Sequence, residues 1–575
     1  MCEGSIAGVA NERGTQVAAG LEKEPWTEQA ASFIGFFIYL LVLKSFFLPL
    51  FMIPTGSMAP TLYGAHSLHT CSNCTTNYAV GWQPGPPELQ RPGGRFQPAP
   101  ECPNCRWREQ HVPTGAHPTL PLDSRLPTAL RASAGDRIFV HGWTYDWPFR
   151  TLEGFGPQRW DVVVFKVPTD GQTNYIKRLV GLPGETLEII DGDIFVHAPD
   201  GARILRKTAD AQQSLWFEYY NQDRPPKEPA QAAGYFPRWF ELGGAGLWSG
   251  VDTRVFRFPG AQGRRATLQF ITTPQLPVAA SDAVPPGLIQ DIYGYNDPRP
   301  GHFMHVVSDV RLSAEVDYSG RAGESSYLEL SLAHEQPPAA AHTFRARLSA
   351  DGRIALTADS AANSAAPDEP SEPSVTRREA DLSRLPGGWP RPVRFALAHV
   401  DGRVQVEIDG HLVAGLQTDA EYQVTPEIAR ARARAQRSPR VQITATGEAP
   451  LTLRHVLLER DVYYTRGAGA GADERIYPHG VESNPVQLGP DEYFVLGDNS
   501  PSSADARIAF IARPGQEAVG PHLKDRFASG AWRPGRVPRD QLIGRAFFVY
   551  WPGTLPLTRS GPNVLPNLGR ARWIH

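Results

Sequence analysis

The stretch Pro54-Thr-Gly-Ser-Met-Ala-Pro-Thr-Leu62 follows directly on an apolar run that ends at Ile53. Pro54 and Pro60 restrict the backbone on either side, and Gly56 frees it just before Ser57. One hydroxyl is therefore expected on a constrained turn, where an apolar segment hands over to a polar chain. Such a serine is a nucleophile candidate, but a hydroxyl alone reacts poorly and needs a base. An ordinary turn beside a membrane would read the same way, so the rest of the chain has to decide.

Ala30 to Ile53 is almost wholly apolar, interrupted by Lys44 and Ser45. Its 24 residues would reach about 36 Å as a helix, against a hydrocarbon core of roughly 30 Å. A lysine is costly at mid-bilayer, so the crossing is expected at 28–44. Lys44 would then reach an interface, and Phe46–Met52 would dip into the outer one before joining the soluble part. Residues 1–29 hold five Glu against one Arg and one Lys, so the basic start of a cleaved signal peptide is missing. A retained single anchor is expected, with its orientation left open by charge.

At 575 residues the chain should hold several domains. A net charge of −3 and the lack of a basic stripe exclude nucleic acid as a partner. Gly and Pro, 54 each, argue for a turn-rich, mainly β build. Four of the five cysteines form two Cys-x-x-Cys pairs, Cys71-Ser-Asn-Cys74 and Cys102-Pro-Asn-Cys105. Two such knuckles facing one another are the ligand set of a zinc ribbon. Two disulfides would be the alternative in an oxidising compartment. Structural zinc is favoured, because Thr75–Glu101 has no core of its own and needs a staple. Four thiolates leave no vacancy, so His66, His69 and His111 are read as surface residues.

The base is sought further on. Gly135-Asp136 reads as a turn feeding the strand Arg137–Val140, and Trp160–Val167 as a buried strand. In the next strand, alternation puts Tyr175, Lys177 and Leu179 on one face and Ile176, Arg178 and Val180 on the other. One of the adjacent cations must then face inward. A lysine among Phe165, Tyr175 and Met58 would lose hydration until it could accept a proton from Ser57, whereas an arginine stays charged.

Pro54-Thr-Gly-Ser-Met-x-Pro-Thr-Leu62, Gly135-Asp136, Asp161-Val-Val-Val-Phe165 and Tyr175-Ile-Lys-Arg-x-Val-Gly-Leu-Pro-Gly184 resemble successive boxes of the type I signal peptidases. Tyr493-Phe-Val-Leu-Gly-Asp-Asn-Ser-Pro-Ser-Ser-Ala-Asp-Ala-Arg507 resembles the last box. The resemblance implies a membrane-bound Ser/Lys endopeptidase that removes signal peptides from exported precursors on the extracytoplasmic face of the inner membrane. It needs no cofactor for catalysis. Ser57 is implied as nucleophile, Lys177 as general base, and the Ser57 N–H with the Thr55 hydroxyl as oxyanion hole. Ser503 would orient the lysine, with Asp505, Arg507 and Asp498 bracing that corner. Phe51, Ile53, Pro54, Met58, Leu62, Val164, Tyr175 and Ile176 would line a pocket for small apolar side chains. One departure is Ala506, where the family has a serine.

The boxes are spread by two insertions. The expected organisation is a tail at 1–29, an anchor at 30–53, and a catalytic core at 54–66, 132–200 and 473–551. A zinc-ribbon-like insertion occupies 67–131, a β-rich insertion 201–472, and a C-terminal tail 552–575. Within the larger insertion, alternating runs from Val310 to Ile408 with Asp-Gly turns at 351–352, 401–402 and 409–410 predict a β-sandwich at about 303–462. Its last hairpin is similar to those of concanavalin-like jelly rolls. Ala202–Tyr293 shows no clean period and is left unassigned, and Ala361–Glu379 reads as a mobile loop. A spacer role is preferred for this insertion over glycan or protein binding, and the sequence names no ligand for it. The reading from a different class is a catalytically silent, membrane-anchored binding protein.

Overall fold

The computed structural model describes residues 26–81, 95–96, 101–107, 119–120, 133–145, 155–227, 238–244, 246–272, 287–296, 305–319, 325–334, 342–360, 374–382, 389, 391–418, 424–467, 478–508, 519–556 and 563–575. It is mainly β. The N-terminal apolar run is divided. A 17-residue helix, Trp26–Val42, runs into a wider π-type turn at Leu43–Phe47, and Leu50–Met52 is a strand. Pro49 cannot continue a helix, and its carbonyl accepts the Val140 N–H at 3.1 Å. The expected anchor at 30–53 and the interfacial dip at Phe46–Met52 are therefore corrected at their C-terminal end, which already belongs to a sheet. No helix among the described residues is long and apolar enough to cross a membrane.

The first sheet has eight strands. Seven run in the order Leu50–Met52, Arg137–His141, Leu542–Trp551, Val162–Lys166, Asn174–Gly181, Glu492–Leu496 and Val537–Pro538. The eighth, Arg572–Trp573, pairs with Leu542–Trp551, and Ile574 is buried, so the expected tail ends inside the sheet. A four-stranded sheet beside it holds Gly201–Ile204, Asp193–Ala198, Thr186–Ile190 and Val486–Gln487. Strands from both ends of the sequence thus interleave, and Lys177 and Ser503 come near Ser57 despite their distance along the chain.

Two seven-stranded antiparallel sheets share one core containing Phe256, Leu312, Leu330, Phe344, Phe395, Ile443 and Leu453. The strands expected between Val310 and Ile408 are present, and Asp401, Gly402, Asp409 and Gly410 take the positive φ of tight hairpin turns. Two expectations need correction. The sheets begin well before residue 303: Phe217–Asn221, Trp239–Glu241, Phe256–Phe258 and Ala261–Phe270 all contribute. These strands are short or carry register shifts, which removes the two-residue period by which a strand is recognised. Ser374–Asp381 is a strand paired to Arg353–Ser360, so the last six residues of the expected loop are ordered, while 361–373 lies outside the described residues.

The four cysteines are buried and free. Cys71 and Cys105 sulfurs stand 3.6 Å apart and those of Cys74 and Cys102 3.5 Å, far beyond a disulfide bond of about 2.05 Å. Each knuckle asparagine clasps the start of the larger insertion. The Asn104 side chain accepts the Asn221 N–H at 2.7 Å and donates to the Arg224 carbonyl at 2.9 Å, while Asn73 accepts the Lys227 N–H at 3.0 Å. His66 and His69 are buried rather than on the surface, hydrogen-bonded to the Gly64 carbonyl and the Ser67 hydroxyl. On the hairpin His66–Thr70/Asn77–Gly81, His69 shares the face of Tyr78 and Val80 that packs on the cysteines, and His66 lies on the other face against Tyr63 and Gly553. His111 lies outside the described residues.

Candidate active site

Ser57 sits in a single 3-10 turn, Gly56–Met58, entered from the extended residue Thr55. The Asn499 N–H donates to the Ser57 carbonyl at 3.0 Å, and the Asn499 side chain donates to the Gly56 carbonyl at 3.0 Å. The turn is thus pinned to the loop that follows strand Glu492–Leu496. Gly497 in that loop has no room for a side chain. A Cβ there would lie 2.2 Å from Ser503 Oγ and 2.5 Å from the Ser57 carbonyl oxygen.

Lys177 reaches the same point from strand Asn174–Gly181. Its Nζ donates to Ser57 Oγ at 2.7 Å and to the Ile176 carbonyl at 2.9 Å, and it lies 5.4 Å from the Tyr175 ring centre. Lys177 is only 4% exposed and Ser57 8%, so the pair is nearly dry. Burial lowers the Lys177 pKa to about 8, against the opposing pull of Asp505 and Asp498 and with help from Arg507. An amine that loses its proton near neutrality, within hydrogen-bond reach of a hydroxyl on a rigid turn, can take that hydroxyl's proton.

Both cations of the Lys-Arg pair are buried, because the strand is covered on both faces. Arg178 is fully enclosed. It makes a bidentate pair with Asp498, both contacts at 2.8 Å, and donates to the Trp160 carbonyl at 2.9 Å. Asp498 also accepts the Thr61 hydroxyl at 2.6 Å, which ties the serine turn to the same knot. Sequence alternation expects only one inward cation and misses Arg178. The signal available was Asp498, the one nearby carboxylate in the last box without another partner in view.

Asp505 and Arg507 form a buried pair at 2.6 Å, and Arg507 donates further to the Ser500 carbonyl and hydroxyl at 3.0 and 2.7 Å. Burial pushes the Asp505 carboxyl up, but the Arg507 guanidinium and the Gly497 N–H outweigh it and hold it below its usual range. Ser503 is fully buried and its hydroxyl faces Asp505, whose carboxyl it also helps to hold low, rather than donating to or accepting from Lys177. Of the expected pocket, Ile53, Met58, Leu62 and Val164 are buried in one cluster, with Phe51 and Ile176 packed against it. Pro54 and Thr55 are exposed, and Tyr175 is half-buried. Sequence reading also missed Asn499, Tyr295 and Asn296, the last two in the gap between the unassigned stretch ending at Tyr293 and the expected sandwich.

Four sulfurs bound about 2.3 Å from a common centre stand about 3.8 Å apart in a tetrahedron. The thiols of Cys71, Cys74, Cys102 and Cys105 all lie within 4.8 Å of one another, which fits a four-thiolate metal.

Residues 119–236 and 451–551 match the family model described as signal peptidase, peptidase S26. Lys177, Asp498, Ser503, Asp505 and Arg507 fall inside the match, and Ser57 precedes it. The chain is 34% identical over 92 residues to signal peptidase I of Rickettsia typhi (strain ATCC VR-144 / Wilmington), covering 14% of this chain and 34% of that protein. It is likewise 34% identical over 92 residues to signal peptidase I of Rickettsia prowazekii (strain Madrid E), with the same coverage. The alignment spans about a third of the length of these relatives. Among solved structures, carbohydrate-binding module CBM66 from Bacillus subtilis aligns at 9% identity and a TM-score of 0.19, over 39% of this chain and 95% of that one. The Emp46p carbohydrate recognition domain in its metal-free form aligns at 9% identity and a TM-score of 0.25, over 42% and 97%. Through the two matched segments, the chain is similar to the S26 family of signal peptidases.

Proposed function

We propose that this chain is a membrane-bound serine endopeptidase that removes N-terminal signal peptides from exported precursors, with Ser57 as nucleophile and Lys177 as general base. The observation that carries this is the 2.7 Å contact between Lys177 Nζ and Ser57 Oγ in a buried setting. Neutral Lys177 takes the hydroxyl proton as Ser57 Oγ attacks the scissile carbonyl. The Ser57 N–H and the Thr55 hydroxyl receive the developing oxyanion. Lys177 then hands the proton to the departing amine, and an acyl-enzyme remains on Ser57. Lys177 next draws a proton from water as it attacks the ester, and returns that proton to Ser57 Oγ as the acyl C–O bond breaks, which frees the acid and restores the enzyme. Asp498, Ser503, Asp505 and Arg507 hold the lysine's surroundings.

The helix Trp26–Val42 has no buried residue and presents Phe33, Ile34, Phe36, Phe37, Ile38 and Leu41 around its circumference, as a segment anchored in lipid would. We place the catalytic sheet on the extracytoplasmic side of the inner membrane, with Phe51, Pro54, Tyr175 and Ile176 bordering the pocket for small side chains before the cut. The four cysteines would hold a structural zinc. The two-sheet body is an inserted domain with a scaffolding role.

Processing of a secretory precursor in detergent by wild type, Ser57→Ala and Lys177→Met tests the assignment. Cleavage by wild type alone is expected, and normal cleavage by either variant overturns it.

A further inference from the structure

The larger insertion does not merely sit beside the site; a short strap from it is built into the back of the serine turn. Four consecutive residues, Tyr293-Gly-Tyr-Asn296, lie between the cysteine knuckles and Gly56. The Tyr295 ring is packed flat on the turn: a Cβ at Gly56 would lie 2.0 Å from Tyr295 Cε1. Tyr295 is 5% exposed, and its ring is flanked by Tyr63 and Tyr293 at centroid distances of 5.4 and 5.9 Å. Its carbonyl accepts the Gly81 N–H at 2.8 Å, and Gly294 lies against Pro103 of the second knuckle.

The next residue acts on the same turn by another route. Asn296 and Asn499 exchange two amide hydrogen bonds, Asn499 Nδ2 to Asn296 Oδ1 at 2.7 Å and Asn296 Nδ2 to Asn499 Oδ1 at 2.8 Å. Asn499 is the residue whose backbone and side chain hold the carbonyls of Ser57 and Gly56. With its oxygen engaged by Asn296, the Asn499 amide is fixed with its nitrogen toward Gly56.

We propose that Tyr295 and Asn296 are positioning residues for Ser57. Tyr295 fixes the height of the turn from behind, and Asn296 fixes the orientation of the Asn499 side-chain amide that holds the Gly56 carbonyl. Neither touches the reacting atoms. The reactive geometry of Ser57 is therefore set partly by the insertion, so the insertion is needed for turnover. This rests on the peptidase reading above. A hydroxyl displaced by a fraction of an ångström from its base and its target loses rate rather than binding.

The test uses the full-length chain in detergent, with precursor processing and hydrogen exchange of the peptide covering residues 54–62 measured on the same samples. Tyr295→Ala and Asn296→Ala should lower kcat about ten- to a hundredfold with KM within about twofold of wild type. Exchange in residues 54–62 should quicken while Tm holds. Tyr295→Phe keeps the ring on Gly56 and should restore kcat, which a general loss of packing would not predict. The pH midpoint should stay near that of wild type, because Lys177 is untouched. Unchanged kcat in both alanine variants overturns the proposal, and so does a loss explained wholly by a fall in Tm. If wild type itself cleaves nothing, the peptidase reading falls, and unaltered exchange at 54–62 in both variants then removes the strap as well.

Discussion

Arg178 and Asp498 form a two-pronged ion pair with no solvent access, directly behind the strand position that turns Lys177 toward Ser57. The pair locks strand Asn174–Gly181 to the loop after Glu492–Leu496. It also brings a carboxylate close enough to raise the Lys177 pKa against the lowering effect of burial. Structure and reactivity are thus linked: the ion pair that holds the lysine's strand also sets how readily the lysine gives up its proton.

As the proposed general base Lys177 must be neutral, and burial places its pKa near 8. The ratio kcat/KM should therefore rise about tenfold per pH unit below 8 and level off above it. A flat profile from pH 5 to 9 would mean that another group is the base.

The same shift has a cost in stability. Folded Lys177 titrates near 8 and unfolded lysine near 10.5, so the unfolded chain binds more protons between those values. Stability should rise with pH across that window, and below it the folded state carries a penalty of about 3 kcal/mol. Lys177→Met removes the penalty. It should be inactive yet melt higher than wild type at pH 7; a lower Tm would show that the lysine contributes net stability.

Asp505 pulls the Lys177 pKa up, and Arg507 pulls it down. Asp505→Asn deletes the first influence and leaves the second uncompensated. The rising limb of kcat/KM should move to lower pH, even though stability drops as the buried Arg507 loses its partner. A limb that moves to higher pH, or not at all, would refute electrostatic control of the base from this corner.

Much of this site was legible because it depends on short runs with a stereochemical meaning. Proline, glycine and serine in Pro54–Leu62 announce a turn, and the period of Tyr175–Val180 announces a strand. What the chain did not disclose is what covers each face. Arg178 reads as exposed until strand Asn174–Gly181 is known to be packed on both sides. His69 reads as a surface residue until the knuckles close over its face of the hairpin, and His66 until Tyr63 and Gly553 cover the other. Tyr295 and Asn296 belong to no periodic element, so only the fold brings them to Gly56. The helix ended early for a local reason, Pro49, which an average of hydropathy over a long window smooths away.

The geometry of the four cysteines predicts one zinc per chain by elemental analysis. Cys74→Ser should lose the metal and lower Tm, while a reductant without a chelator should leave both unchanged, since these four cysteines form no disulfide. A metal-free preparation with wild-type melting would refute the metal site.

Buried charges crowd together at the junction between the four-stranded sheet and the two-sheet body. Lys207 Nζ contacts Asp401 at 2.5 Å and Asp461 at 2.7 Å, and Arg432 contacts Asp191 at 2.5 Å and Asp193 at 2.6 Å. Asp309 joins Asp193 and Asp401 within 4.8 Å and pairs with His399 at 3.0 Å. Carboxylates outnumber cations here. Burial, with Asp401 and Asp309 nearby, lifts Asp461 to about 7 despite the opposing pull of Lys207. A carboxyl whose folded pKa is raised is held protonated by the fold, so its environment weighs against folding once pH exceeds the unfolded value and most heavily above 7. Asp461→Asn keeps an acceptor for Lys207 without the charge. It should raise Tm at pH 8 and leave it nearly unchanged at pH 3, where the acid is largely protonated in either state. Lys207→Met does the reverse, stranding two carboxylates, and should cost about 3–5 kcal/mol at pH 8. A fall in Tm for Asp461→Asn at pH 8 would mean that the Lys207–Asp461 attraction outweighs the crowding.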